Sequence, residues 1–111
     1  MRNRNPTHDN LRDTIIETLS RNLPKIVRFG IQRIGIFGSV VKGEVTPNSD
    51  IDILIEFKDG QETFDNLMDL HLFLKEILGD ERRIDLVTRG ALSPYIGPYI
   101  LKEVQYIEAV S

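Results

Sequence analysis

Two apolar, β-branched segments, Ile31 to Phe37 and Asp50 to Phe57, are separated by only about a dozen residues, and Gly38, Gly43, Pro47, Asn48 and Ser49 punctuate that interval. A parallel strand pair needs a crossover of a dozen or more residues, usually a complete helix, whereas this interval leaves room for little more than one helical turn. The two strands are therefore expected to run antiparallel, so that the end of the first meets the start of the second. Within the second strand Ile51, Ile53, Ile55 and Phe57 share one face, and Asp50, Asp52, Leu54 and Glu56 share the other. The apolar set belongs to the core, and Gly38 and Ser39 are predicted to lie beside Asp50 and Asp52.

The flanking sequence supplies helices for that sheet. Beyond a polar arm over residues 1–8, Leu11, Ile15, Ile16 and Leu19 recur at helical spacing, with Asp9 or Asn10 available as a cap. Asn22 and Pro24 interrupt the pattern, and Ile26, Val27 and Phe29 form a second turn that Gly30 closes. After the Asp59-Gly60 turn, Phe64, Leu67, Met68, His71, Leu74 and Leu78 predict the longest helix, ending at Gly79; Phe64, Met68 and Phe73 are assigned to the core and His71 to packing. Arg83 to Val87 reads as a third strand, Gly97-Pro98 as the start of a short helix, and Val104 to Ile107 as a closing edge strand. The expected architecture is α/β: one domain over residues 1–111, a small mixed β-sheet flanked by α-helices packed mainly opposite the carboxylates.

Composition narrows the chemistry. The chain has 111 residues, no cysteine, two histidines and a formal net charge of -3, from 14 Lys+Arg against 17 Asp+Glu. Disulfides, thiol catalysis and Cys-ligated zinc are excluded, so a bound metal is expected to be held by oxygen. An acidic balance speaks against direct nucleic-acid binding, which depends on clustered basic charge. No apolar run is long enough for a membrane span and the first ten residues lack a signal-peptide core, so a cytoplasmic location is expected.

The chemistry concentrates in one ordered set: Gly38-Ser39, Lys42, Gly43, then Ser49-Asp50-Ile51-Asp52, with Asp85 on the third strand. A Gly-Ser pair leaving a strand for a helix offers backbone amides and a hydroxyl to an anion such as a phosphate, and Gly38 lets that backbone approach closely. Aspartates at i and i+2 stand on one strand face about 6.6 Å apart along the chain, near enough to bridge cations about 3.5–4 Å apart. Three carboxylates gathered without a cation repel one another, and hard oxygen ligands suit magnesium or manganese. Gly38-Ser39 alone would be an ordinary strand-to-helix turn and Asp50 alone a strand-edge charge; it is their joint spacing with Asp52 and Asp85 that points to a nucleotide and metal site. Arg83 reads either as a phosphate contact or as a solvent-facing strand charge. Tyr95, Tyr99 and Tyr106 are open to three readings: packing, a partner surface or a nucleobase platform.

These residues, in IGIFGSVVKGEVTPNSDIDILIEF followed by RRIDLV, resemble the nucleotidyltransferase fold of the DNA polymerase beta superfamily. At this length the chain is similar to the minimal nucleotidyltransferase branch, the MntA-like antitoxins that pair with HEPN-domain toxins. The resemblance implies that Asp50, Asp52 and Asp85 are catalytic and bind two Mg2+ ions, with Mn2+ as a substitute. It implies that Asp85 helps deprotonate the acceptor, that Gly38 and Ser39 hold the triphosphate of ATP, and that Lys42 and Ser49 assist. One departure is visible: Val40-Val41-Lys42 carries a single basic residue where two are expected. The implied function is transfer of AMP from ATP to a hydroxyl, a tyrosine of a HEPN toxin, within a hetero-oligomer. Its alternatives are a binding-only antitoxin, the catalytic subunit of a small-molecule or nucleic-acid nucleotidyltransferase, or a nucleotide sensor that releases no pyrophosphate.

Overall fold

The computed structural model describes residues 8–109, so residues 1–7 of the predicted 1–8 arm lie outside the described residues. Helix α1 spans His8–Arg21, and α2, Leu23–Ile26, runs into a 3-10 turn over Val27–Phe29 that Gly30 closes in the left-handed region at φ 83°. Asp9 and Asn10 therefore lie within α1 rather than ahead of it, and His8 is its first residue rather than part of an arm. Strand β1 is Ile31–Phe37, α3 is Ser39–Lys42, β2 is Ile51–Phe57, and α4 is Phe64–Leu78. Strand β3, Ile84–Thr88, leads through a 3-10 turn over Arg89–Ala91 to α5, Gly97–Glu103, and to the two-residue β4, Gln105–Tyr106.

The sheet order is β3-β2-β1-β4. As the short interval between them requires, β1 and β2 are antiparallel; β4 is antiparallel to β1, and β3 is parallel to β2 through the α4 crossover. Ile31 and Ile34 are both buried although three residues apart, which a flat strand cannot achieve. A register shift between Ile31 and Arg33 resolves this by taking up Gln32 as an extra residue, so the apolar side chains on either side of it face inward. The inner face, Ile34, Ile36, Ile51, Ile53 and Ile55, packs on Ile15 and Leu19 of α1, Ile26 of α2, Val40 of α3, and Leu70 and Leu74 of α4.

The inward face of helix α4 keeps Leu67, Leu74 and Leu78 from the expected stripe, adds Leu70, and leaves out Phe64 and Met68. Leu70 and Leu74 are fully buried, whereas Phe64 is 74% and Met68 39% exposed, so neither belongs to the core. Phe73 is partly buried and meets Phe29 with ring centroids 5.5 Å apart. Thr63 caps the helix by accepting the Asn66 N–H at 3.1 Å.

The outer face, which carries the aspartates, is closed in its middle. Gly35 stands opposite Leu54, and a methyl group added there would come within 2.7 Å of Val104 Cγ2. The absence of a side chain at Gly35 lets the chain after α5 lie on the sheet, and Leu54 is fully buried as a result. Tyr106 is held there: its hydroxyl donates to Glu56 Oε2 at 2.7 Å, and the Arg33 guanidinium lies 3.5 Å from its ring centroid. Arg33 and Arg89 also approach the Glu56 carboxylate, at 3.9 and 3.7 Å. Tyr106 is therefore a packing residue, while Tyr95 and Tyr99 are 85% and 73% exposed. Among the described residues no helix is long and apolar enough to cross a membrane.

Candidate active site

The hairpin brings the predicted residues to one end of the sheet. Phe37, the last residue of β1, stands opposite Asp52, and Asp52 is in turn in register with Asp85 on the parallel strand β3. Asp50 immediately precedes β2 on the same face. Gly38 adopts φ 76° and ψ -149°, a region open to glycine and strained for other residues. A Cβ at Gly38 would run into Asp52 Oδ2, so the contact between the turn and the carboxylate exists only because that side chain is missing. Gly38→Ala is accordingly expected to lower stability by about 1–3 kcal/mol and to push the turn off Asp52, measured by thermal unfolding and by loss of nucleotide binding.

The electrostatics are those of crowded like charge. Burial, then the neighbouring carboxylates of Asp85, Asp50 and Glu103, push the Asp52 carboxyl up from 3.8 to about 6. As their side chains stand, no three acidic or imidazole groups among the described residues converge on one ion position. Asp85 is exposed, whereas Asp50 and Asp52 are partly buried. The donor set, carboxylates only, on a backbone with a glycine pressed against the central one, fits a hard divalent cation and the phosphates it would carry.

The remaining predicted residues are arranged differently from one another. Ser39 is the first residue of α3, which has only four residues, so attraction for an anion rests on individual N–H groups and on Lys42 rather than on a helix macrodipole. Lys42 Nζ lies 3.5 Å from Glu103 Oε1. Ser49 Oγ accepts the Thr46 N–H at 2.8 Å, which commits its hydroxyl to closing its own loop. Arg82 fastens that loop from the strand side, donating to Thr46 O at 2.8 Å and Ser49 O at 3.1 Å, while Arg83 is exposed. Two participants escaped the sequence reading, Arg82 and Glu103. The second accepts the Gly38 N–H through Oε2 at 2.8 Å across 65 positions of chain, a pairing with no local sequence signal.

The profile of the nucleotidyltransferase domain family matches residues 13–107, nearly the whole of the described chain. The chain belongs to that family. The nucleotidyltransferase domain is similar to protein adenylyltransferase MntA of Thermococcus cleftensis, 39% identical over 80 residues that span 72% of this chain and 78% of the relative. It is also similar to a solved minimal nucleotidyltransferase, with TM-score 0.70 and 30% identity over 93% of this chain and 98% of that one. A solved MntA-HepT toxin-antitoxin structure matches with TM-score 0.50 and 25% identity, covering 91% of this chain and 72% of that chain. A nucleotide is thus the substrate class of the nucleotidyltransferase domain, and its Gly38 to Asp52 segment falls inside the matched region.

Proposed function

We propose that this chain transfers AMP from ATP to a hydroxyl of a partner protein, a tyrosine of a HEPN-type toxin in the cytoplasm, and that the modification silences the toxin's ribonuclease activity. The observation that carries the reading is the antiparallel hairpin, which presses Gly38 against Asp52 and leaves Asp85 in register beside it. The adenylyltransferase name of the Thermococcus cleftensis relative and the toxin-antitoxin pairing of the solved MntA-HepT structure support it.

In this reading Asp50, Asp52 and Asp85 hold magnesium, and Gly38, Ser39 and Lys42 hold the triphosphate. Magnesium supplies neutralisation of phosphate charge and a lowered pKa for the acceptor hydroxyl. Asp85, the most exposed of the three aspartates, accepts the hydroxyl proton as the acceptor oxygen bonds to the α-phosphorus. The bond from that phosphorus to the β-phosphate oxygen breaks, and pyrophosphate leaves. A protein acceptor suits the surface: a cleft of about 240 Å³ between Phe37, Gly38 and Lys42 on one side and Ile96, Tyr99 and Ile100 on the other opens to solvent. Ile96 is 56% exposed beside Tyr95 and Tyr99, an apolar patch at the mouth of the cleft.

Incubating the purified pair with ATP and magnesium is expected to add about 329 Da to the partner per AMP transferred and to abolish its ribonuclease activity in parallel. Intact-mass spectrometry reads the first and an RNA cleavage assay the second. A partner that is silenced without gaining mass would replace transfer by occlusion.

A further inference from the structure

Glu103 is the last residue of α5, and its carboxylate reaches the start of α3 rather than solvent. Oε2 accepts the Gly38 N–H at 2.8 Å, and Oε1 lies 3.5 Å from Lys42 Nζ. Both donors belong to the segment assigned above to the triphosphate. A carboxylate and a phosphate oxygen make the same demand on an N–H and an ammonium group, each carrying negative charge on an acceptor-only oxygen. They cannot share these donors without bringing two anions into contact in a place where Asp52 is already half-buried.

We propose that Glu103 is an internal stand-in for the nucleotide's phosphate, occupying the Gly38 N–H and Lys42 in the nucleotide-free protein and leaving them when the triphosphate is seated. The inference rests on the nucleotidyl-transfer reading and adds to it a built-in competitor for the donor site. The contact satisfies the Gly38 N–H and keeps Lys42 beside the turn, so the cradle is held in shape before the nucleotide binds. Its cost is a weaker affinity for nucleotide than the same donors would give alone. The displacement also has a place to go, because the cleft between α3 and α5 is lined by Lys42, Tyr99 and Ile100 as well as Glu103. Occupancy of the nucleotide site thereby alters how the end of α5, one turn beyond the exposed Tyr99, is tethered.

The test is calorimetric titration of AMP-PNP at saturating magnesium into the wild type, Glu103→Gln, Glu103→Asp and, as a control for net charge alone, Glu108→Gln, which alters an exposed carboxylate in the C-terminal segment. Glutamine keeps the length and an acceptor for the Gly38 N–H but loses the charge that holds Lys42 and repels phosphate. Aspartate keeps the charge but is one methylene too short to span both donors. Glu103→Gln is expected to bind about fivefold tighter than wild type, Glu103→Asp to shift the same way, and Glu108→Gln to match wild type. Should Glu103→Gln prove poorly folded by its melting curve, Glu103→Asp alone decides. Unchanged or weaker binding in the Glu103 variants, with clear binding by the wild type, overturns the inference and leaves the nucleotidyl-transfer reading standing. Binding by none of the proteins overturns both, and equal tightening in Glu108→Gln reduces the effect to net charge and overturns the inference.

Discussion

Asp52→Asn is expected to abolish nucleotidyl transfer, by a factor on the order of 10³ or more, while making the metal-free protein more stable. The two effects share one origin. Asp52 is half-buried, faces Asp85 and Asp50, and is pushed up to about 6, so its ionised form is disfavoured in the folded state relative to the unfolded chain. The sign follows: below about pH 4 the carboxyl is protonated in both states and costs nothing, and as the pH rises from about 4 to about 6 the unfolded chain releases the proton first and folded stability falls. Above about 6 the full penalty is present. Discounted for the solvent that still reaches the group, it is about 1 kcal/mol, worth a rise of about 5 °C in melting temperature for the asparagine variant at pH 7. Melting curves of the two metal-free proteins should diverge between pH 4 and 6 and run parallel above it. Magnesium should raise the wild-type melting temperature and leave that of Asp52→Asn nearly unmoved, because only the wild type retains the central ligand. If the variant is less stable than wild type at pH 7, or responds equally to magnesium, the crowding of charge at Asp52 is not what the metal relieves.

That juxtaposition is legible in the sequence because it depends on a length and a period. A dozen turn-rich residues cannot carry a parallel crossover, and alternation along Asp50 to Phe57 fixes which side chains share a face. What stayed hidden depends on choices that periodicity leaves degenerate. Helix α4 carries apolar residues around more than half its circumference, so Phe64, Met68 and Leu72 form as good a stripe as Leu67, Leu70 and Leu74. The stripe read from the sequence mixes members of both, and the structure keeps its Leu67 and Leu74, adds Leu70, and leaves Phe64 and Met68 outside. The register shift at Gln32 is likewise invisible in a run that reads as continuous strand, yet without it Ile31 and Ile34 could not both be buried. Glu103 reads locally as an acidic residue in the last turn of a helix, where it opposes the dipole. Its justification lies at Gly38 and Lys42, far away in sequence.

Asp85→Asn is expected to separate chemistry from binding. Asp52 sits centrally, between β1 and β3, and its loss should remove both metal and nucleotide. Asp85 sits on β3, an edge strand that among the described residues pairs only with β2, and it is exposed. That position suits a group that meets an incoming acceptor, and general-base assistance of this kind contributes about 10² to 10⁴ in rate. Turnover should fall by that factor while the affinity for AMP-PNP with magnesium changes by less than about tenfold, since an interaction made mainly in the transition state lowers kcat without a matching loss of ground-state binding. Fold should be preserved, because Asp85 is exposed and its neighbours Ile84 and Leu86 carry the packing. Single-turnover measurement of partner mass against time, paired with calorimetry, distinguishes the roles. Equal losses in rate and in affinity would make Asp85 a metal ligand of the same standing as Asp52, and an unchanged rate would assign the acceptor's proton to another group.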